Sequence, residues 1–244
     1  MTEAEVAAPH HADGGEGAAG WGGRPPGRAR GADGASPALA SHFHDLRQQH
    51  AAADLGLWIF LATEILFFGG LFAAYLVYAL LYPAAFLEAA AETEIVIGTI
   101  NTALLLTSGL TAALAVKAAG LDMRRSVTVL VAATIALGVV FLAAKGYEYW
   151  LDLDHHLYPT SPDFPLAAPA ARLFWSLYWM MTGLHAVHIL VGLGVWSVIL
   201  VQTFRGTFSL TDNSRVRIAG LYWGFVDLMW LFLWPLLYLM GRAT

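Results

Sequence analysis

An all-α polytopic membrane protein, a bundle of five transmembrane helices, is the fold class that three observations predict. First, 58% of the 244 residues are hydrophobic and only 13% are charged, with a mean hydropathy of +0.59. Soluble domains carry about 25% charged residues, so this balance belongs to lipid rather than water. Second, apolar residues gather in five blocks, each close to the ~20 residues a bilayer span requires. Third, the blocks run without period-two alternation. That selects helices over barrel strands, the two structures whose backbones are satisfied inside hydrocarbon.

Residues 1–50 precede the first block. Their run GGEGAAGWGGRPPGRARGADGASPALA is rich in Gly, Ala, Pro and Arg and has no apolar period, so a flexible tail is expected. No signal peptide is expected, because the first 30 residues hold no apolar core of the required length. Glu3, Glu5, Asp13 and Glu16 argue against an Arg-rich presequence. Residues 51–244 form the predicted membrane domain, with spans at about 56–82, 94–117, 126–150, 173–202 and 216–241. The longest connection, 151–172, carries the proline-rich DHHLYPTSPDFPLAAP.

Ten of the 13 Lys and Arg residues fall on one side of this arrangement. They are Arg24, Arg28, Arg30 and Arg47 in the tail, Lys117, Arg124 and Arg125 around the second connection, and Arg205, Arg215 and Arg217 around the fourth. The positive-inside rule therefore predicts the N-terminus inside and the C-terminus outside. The acidic connections carrying Glu88, Glu92 and Glu94, and Asp152, Asp154 and Asp163, lie outside.

Several chemistries are excluded. With no cysteine there is no disulfide, thiolate metal site or Cys nucleophile, and a net charge of −5 argues against nucleic acid. The chain also lacks a Gly-rich phosphate loop and a nucleophile-elbow motif.

What remains is a small set of polar residues at membrane depth. Glu64 lies eight residues into the first span, about 12 Å deep at ~1.5 Å per residue. An ionisable group there faces protein or water, so Glu64 is a hydrogen-bonded carboxyl, a proton-handling group or part of a substrate site. His185 and His188 share one face of the fourth span at i, i+3. The other seven histidines sit in the tail or in the 151–172 connection, so a bis-histidine haem has no second span to draw on. Hydrogen-bonded packing inside the bundle, or a proton-linked or subunit-contact role, fits the pair better than metal or haem ligation. Asp227 lies near the midplane of the fifth span, and the short connection between the last two spans suggests that it pairs with His185 or His188. Lys145 and Glu148, again i, i+3, are expected to form a local ion pair at the outer interface beside Tyr147, Tyr149 and Trp150. In the second span, Gly98, Thr102, Ser108, Gly109 and Ala112 are the small residues that let membrane helices approach.

Five stretches in order, TEILFFGGLFAAY (63–75), NTALLLTSGLT (101–111), KGYEYW (145–150), TGLHAVHILVG (182–192) and WGFVDLMWLFLWPLLYLMG (223–241), resemble subunit III of haem–copper cytochrome c oxidases. The resemblance covers essentially residues 56–241. It implies an accessory, non-redox subunit beside oxidase subunits I and II in a bacterial cytoplasmic membrane. Haems and copper are then expected in those partners, none in this chain, and cytochrome c is met only through the complex. O2 reduction would be coupled to outward proton movement. The family glutamate that matches Glu64 supports proton uptake near subunit I; Glu148, His185 and His188 also fall on family motif positions. Larger members have seven spans and bind phospholipid in a cleft formed with the first two. This chain resembles the five-span form, so structural phospholipid is expected without assigned positions. One departure is Gly224, where the family usually has histidine in Trp-His-Phe-Val-Asp. The same fold could serve a quinol oxidase or a nitric-oxide-reductase-associated complex. A stand-alone transporter using Glu64 and Asp227 is the rival of a different class, but no internal repeat supports it.

Overall fold

The computed structural model describes residues 46–205 and 214–242. Residues 1–45 lie outside them, and with them most of the expected flexible tail. The described residues are helical throughout apart from short connections and contain no strand. Among the described residues, five helices are long and apolar enough to cross a membrane. They are α1 (Leu46–Leu81), α3 (Ile95–Gly120), α4 (Arg124–Asp154), α5 (Ala171–Arg205) and α6 (Ser214–Trp234). The expected tail boundary at residue 50 falls inside α1, whose 36 residues reach about 54 Å at ~1.5 Å per residue. That exceeds a hydrocarbon core of ~30 Å, so α1 projects beyond the bilayer.

A sixth helix, α2 (Pro83–Ala91), lies in the stretch expected to be a plain connection. Proline in its first turn, where no N–H is needed, starts it, and Ala85, Phe86, Ala89 and Ala90 bury one face. The turn from α3 to α4 places Asp122 at φ 56°, a left-handed conformation that Asp tolerates better than most side chains.

In lipid, helices associate through close packing and polar contacts, since no water is expelled from between them. Both are visible between α3 and α6, which run antiparallel. Gly98 meets the Tyr238 ring, Gly109 meets the Asp227 carboxyl, and Gly220 meets Val116. Indole N–H groups complete the seam, Trp223 donating to Ser108 and Trp230 to Thr102, both at 3.0 Å. Trp223 is fully buried and fills a notch between Gly138 of α4 and Gly192 of α5. One side chain thereby joins α3, α4, α5 and α6.

α1 is the most weakly covered span and leaves Trp58, Ile59, Ile65, Leu66 and Leu80 exposed. It runs parallel to α6: Asp54 pairs with Arg217, Phe72 lies against Phe232, and the Tyr75 hydroxyl donates to the Leu236 carbonyl at 2.6 Å. Pro235 ends the α-helical hydrogen bonding of α6, and a π-helical turn (Pro235–Leu239) follows. This turn carries Tyr238 into the interior. Arg242 then fastens the end of the segment by donating to the carbonyls of Ala91 and Thr93.

Candidate functional site

Asp54 and Arg217 set the depth scale. Arg217 Nη2 contacts both Asp54 oxygens, at 2.6 and 2.8 Å, and both side chains are about one-third exposed. Glu64 on α1 and Asp227 on α6 each lie ten residues further along parallel helices, so both sit about 15 Å deeper at ~1.5 Å per residue. At this level α5 presents His188. Its Nε2 lies 3.1 Å from Glu64 Oε2, and its Nδ1 lies 2.8 Å from the Leu184 carbonyl. The Phe68 ring packs edge-on at 5.4 Å, and the Tyr222 hydroxyl donates to the His188 carbonyl at 3.1 Å. The pair is not sealed, since His188 and Glu64 keep 15% and 17% of their side-chain exposure. Such a group cannot face hydrocarbon cheaply, so this opening belongs against protein or water.

The expected pairing of Asp227 with His185 or His188 is not what the structure builds. His188 turns to α1 and takes Glu64. His185, fully buried, packs against Phe141 and Trp230 with ring centroids at 5.8 and 5.0 Å, and neither of its nitrogens has a hydrogen-bond partner. The Asp227 carboxyl instead rests on the α3 backbone at Gly109, its two oxygens also without a partner. A methyl group at residue 109 would occupy the place of that carboxyl. Gly109→Ala is therefore expected to cost about 1–3 kcal/mol through overpacking. A melting temperature of the purified protein unchanged by the substitution would contradict this close approach.

Lys145 and Glu148 do pair, Nζ to Oε1 at 3.2 Å, but the expectation of an interfacial contact needs correction. Both are buried, at 2% and 0% exposure, inside a cluster built by three helices and the π turn. Lys145 donates to the hydroxyls of Tyr178 (2.8 Å) and Tyr238 (2.7 Å). Those hydroxyls point on to Glu148 Oε1 at 2.8 and 2.6 Å, and Tyr178 also reaches Asp152 Oδ2 at 3.0 Å. The rings of Tyr149, Tyr178, Trp230 and Tyr238 surround the ammonium with centroids 4.5–5.8 Å away. Tyr147 and Trp150 remain exposed and stack on each other, as an interfacial pair does. Asp152 was legible as a member, because 145, 148 and 152 make one stripe of α4 at i, i+3, i+7. Tyr178 and Tyr238 arrive only through tertiary packing.

Gly224 faces open space, so the histidine usual at this position would point out of the chain, and glycine leaves no internal hole. Among the described residues, no three His, Cys, Asp or Glu side chains converge as a metal site.

Comparison with known proteins agrees with the motif reading. The family model described as cytochrome c oxidase subunit III matches residues 40–242. Cytochrome c oxidase subunit 3 of Thermostichus vulcanus is 33% identical over 77% of this chain and 87% of its own length. The protein of that name from Alkalihalophilus pseudofirmus is 32% identical over 84% and 95%. Quinol oxidase subunit 3 of Bacillus subtilis is 30% identical over 77% and 86%. With five spans, the family motifs in order and a match running through every span, this multi-pass membrane chain belongs to the cytochrome c oxidase subunit III family.

Proposed function

We propose that the chain is the accessory, non-redox subunit III of a respiratory haem–copper oxidase that reduces O2 to water and translocates protons. The observation that carries the reading is an ionisable pair, Glu64–His188, held at mid-membrane depth in a member of this family. In the complex the chain packs beside subunit I, stabilises it and supports its proton uptake through Glu64, with subunit II as a further partner. The haems and copper belong to those partners, as the resemblance to the family implies. The basic ends of α1, α3, α4, α5 and α6 face the cytoplasm of a bacterium, which puts the N-terminus inside and the C-terminus outside.

Cytochrome c is the proposed electron donor. A quinol-oxidising complex is the second reading, because relatives named for either donor match at similar identity, 33% and 30%. The apolar groove between α1 and the end of α6, lined by Phe72, Leu76, Phe232, Leu236, Leu239 and Met240, suits an acyl chain of a structural phospholipid.

Mild-detergent purification of the chain from its native membranes tests the assignment. An a-type haem spectrum and a large haem-bearing partner are the expected result, and a copper-bearing subunit II identifies cytochrome c as donor. A haem-free chain purifying alone overturns the reading in favour of a transporter. Within the complex, Glu64→Gln is expected to preserve assembly. It shortens the number of turnovers before inactivation about two- to tenfold, the effect of losing one interaction worth ~0.5–1.5 kcal/mol. Unchanged turnover lifetime and pumping remove Glu64 from proton uptake.

A further inference from the structure

The Glu64–His188 contact contains more than proximity, because the other imidazole nitrogen is already committed. A carbonyl oxygen has no hydrogen to give, so the 2.8 Å contact with Leu184 is made by a proton on His188 Nδ1. That leaves Nε2 facing Glu64 Oε2 at 3.1 Å. Two lone pairs at that distance repel, and two protons leave two donors without an acceptor. The geometry therefore holds one proton between the residues, either on Nε2 against a carboxylate or on Oε2 against a neutral imidazole. Both arrangements are neutral as a pair, so neither leaves an uncompensated charge at membrane depth.

We propose that His188 is the positioning residue of Glu64: it holds the carboxyl through one shared proton, and the two side chains take up and release that proton as a unit. This rests on the reading of Glu64 as a support for proton uptake in an oxidase. His188 is fixed from behind by Leu184, by the Phe68 ring edge and by the Tyr222 hydroxyl on its carbonyl. Glu64, the more exposed partner on the more exposed helix, is the member that meets water or the neighbouring subunit. The other ionisable groups nearby lie outside the unit. His185 packs against Phe141 and Trp230, and Asp227, level with Glu64, is turned away onto Gly109.

The test uses the purified complex with Glu64→Gln, His188→Gln and the double variant. The first readout is the infrared band of the Glu64 carboxyl group, identified as the band that Glu64→Gln removes. His188→Gln is expected to move that band, and a band left in place overturns the proposal. The second is the number of turnovers before inactivation. The double variant is expected to match the worse single variant, whereas losses that multiply show two independent residues and overturn it. A moved band with a turnover lifetime unaffected by Glu64→Gln supports the shared proton while removing the proton-uptake reading beneath it. Should the His188 variants fail to assemble, 15N NMR of selectively histidine-labelled, unsubstituted complex decides. A proton on Nδ1 is expected, and its absence overturns the proposal.

Discussion

Lys145→Met is expected to destabilise the subunit by about 3–5 kcal/mol and to shed it from the solubilised complex, because the cation is the only member of its cluster that offsets two buried carboxyl groups. Glu148 and Asp152 are 0% and 2% exposed, and Glu148 Oε1 collects the ammonium and two tyrosine hydroxyls. Methionine fills much of the lysine volume and keeps contact with the surrounding rings, so packing is largely preserved. What disappears is the charge and the two hydrogen bonds donated to Tyr178 and Tyr238. Glu148 Oε2 already lacks a partner, so the carboxylate has no spare stabilisation to draw on. The discriminating comparison is Lys145→Met with Lys145→Met/Glu148→Gln. Removing both charges is expected to recover part of the loss, since the penalty lies in the orphaned anion. Retention of the subunit through detergent washing and thermal melting report the result. A Lys145→Met protein melting within a degree of the unsubstituted one would show that the cluster carries no net electrostatic weight.

The same cluster shows how far the residues could be read in advance. The pairing of Lys145 with Glu148 follows from their i, i+3 spacing, but their burial does not. A membrane helix is apolar on its lipid face and on its packed face, so no amphipathic stripe says which way a given residue turns. Five spans, their order and their approximate ends were legible from apolar length alone, and the ends differ from the helices chiefly where polar residues continue a helix into the interface. α2 is hidden in the sequence because Pro83–Ala91 reads as part of an acidic connection, although Pro83 followed by Phe86 and the buried alanines carries a helical period. Glu64 stood out because a carboxyl at depth needs a partner. The partner itself required the rotation of α5: chain proximity favoured Asp227 on α6, whereas His188 turns towards α1, the span furthest from it along the chain. The small-residue pattern marks Gly109 as a packing residue, and the structure adds what it packs against, the unpaired carboxyl of Asp227.

Trp223→Ala is the second large effect, expected to cost about 3–5 kcal/mol, and it reaches from packing into the candidate site. The indole lies between Gly138 and Gly192, positions that have no side chain with which to close the resulting cavity. Within lipid, lost contacts are not offset by any gain from releasing water, so the missing dispersion is felt almost in full. Trp223→Phe keeps an aromatic ring in the notch and loses the N–H donated to Ser108, whose hydroxyl still reaches the Thr134 carbonyl at 3.3 Å. About 1 kcal/mol is expected from that change, the net worth of one ordinary hydrogen bond. The functional consequence comes from the neighbouring residue. Tyr222 donates to the His188 carbonyl, and the seat of Trp223 fixes the rotation of α6 that brings it there. Trp223→Ala should therefore shorten the turnover lifetime of the complex as Glu64→Gln does, while Trp223→Phe leaves it near that of the unsubstituted protein. A Trp223→Ala subunit that melts early yet sustains full turnover lifetime at low temperature would mean that the Glu64–His188 pair holds its place without α6.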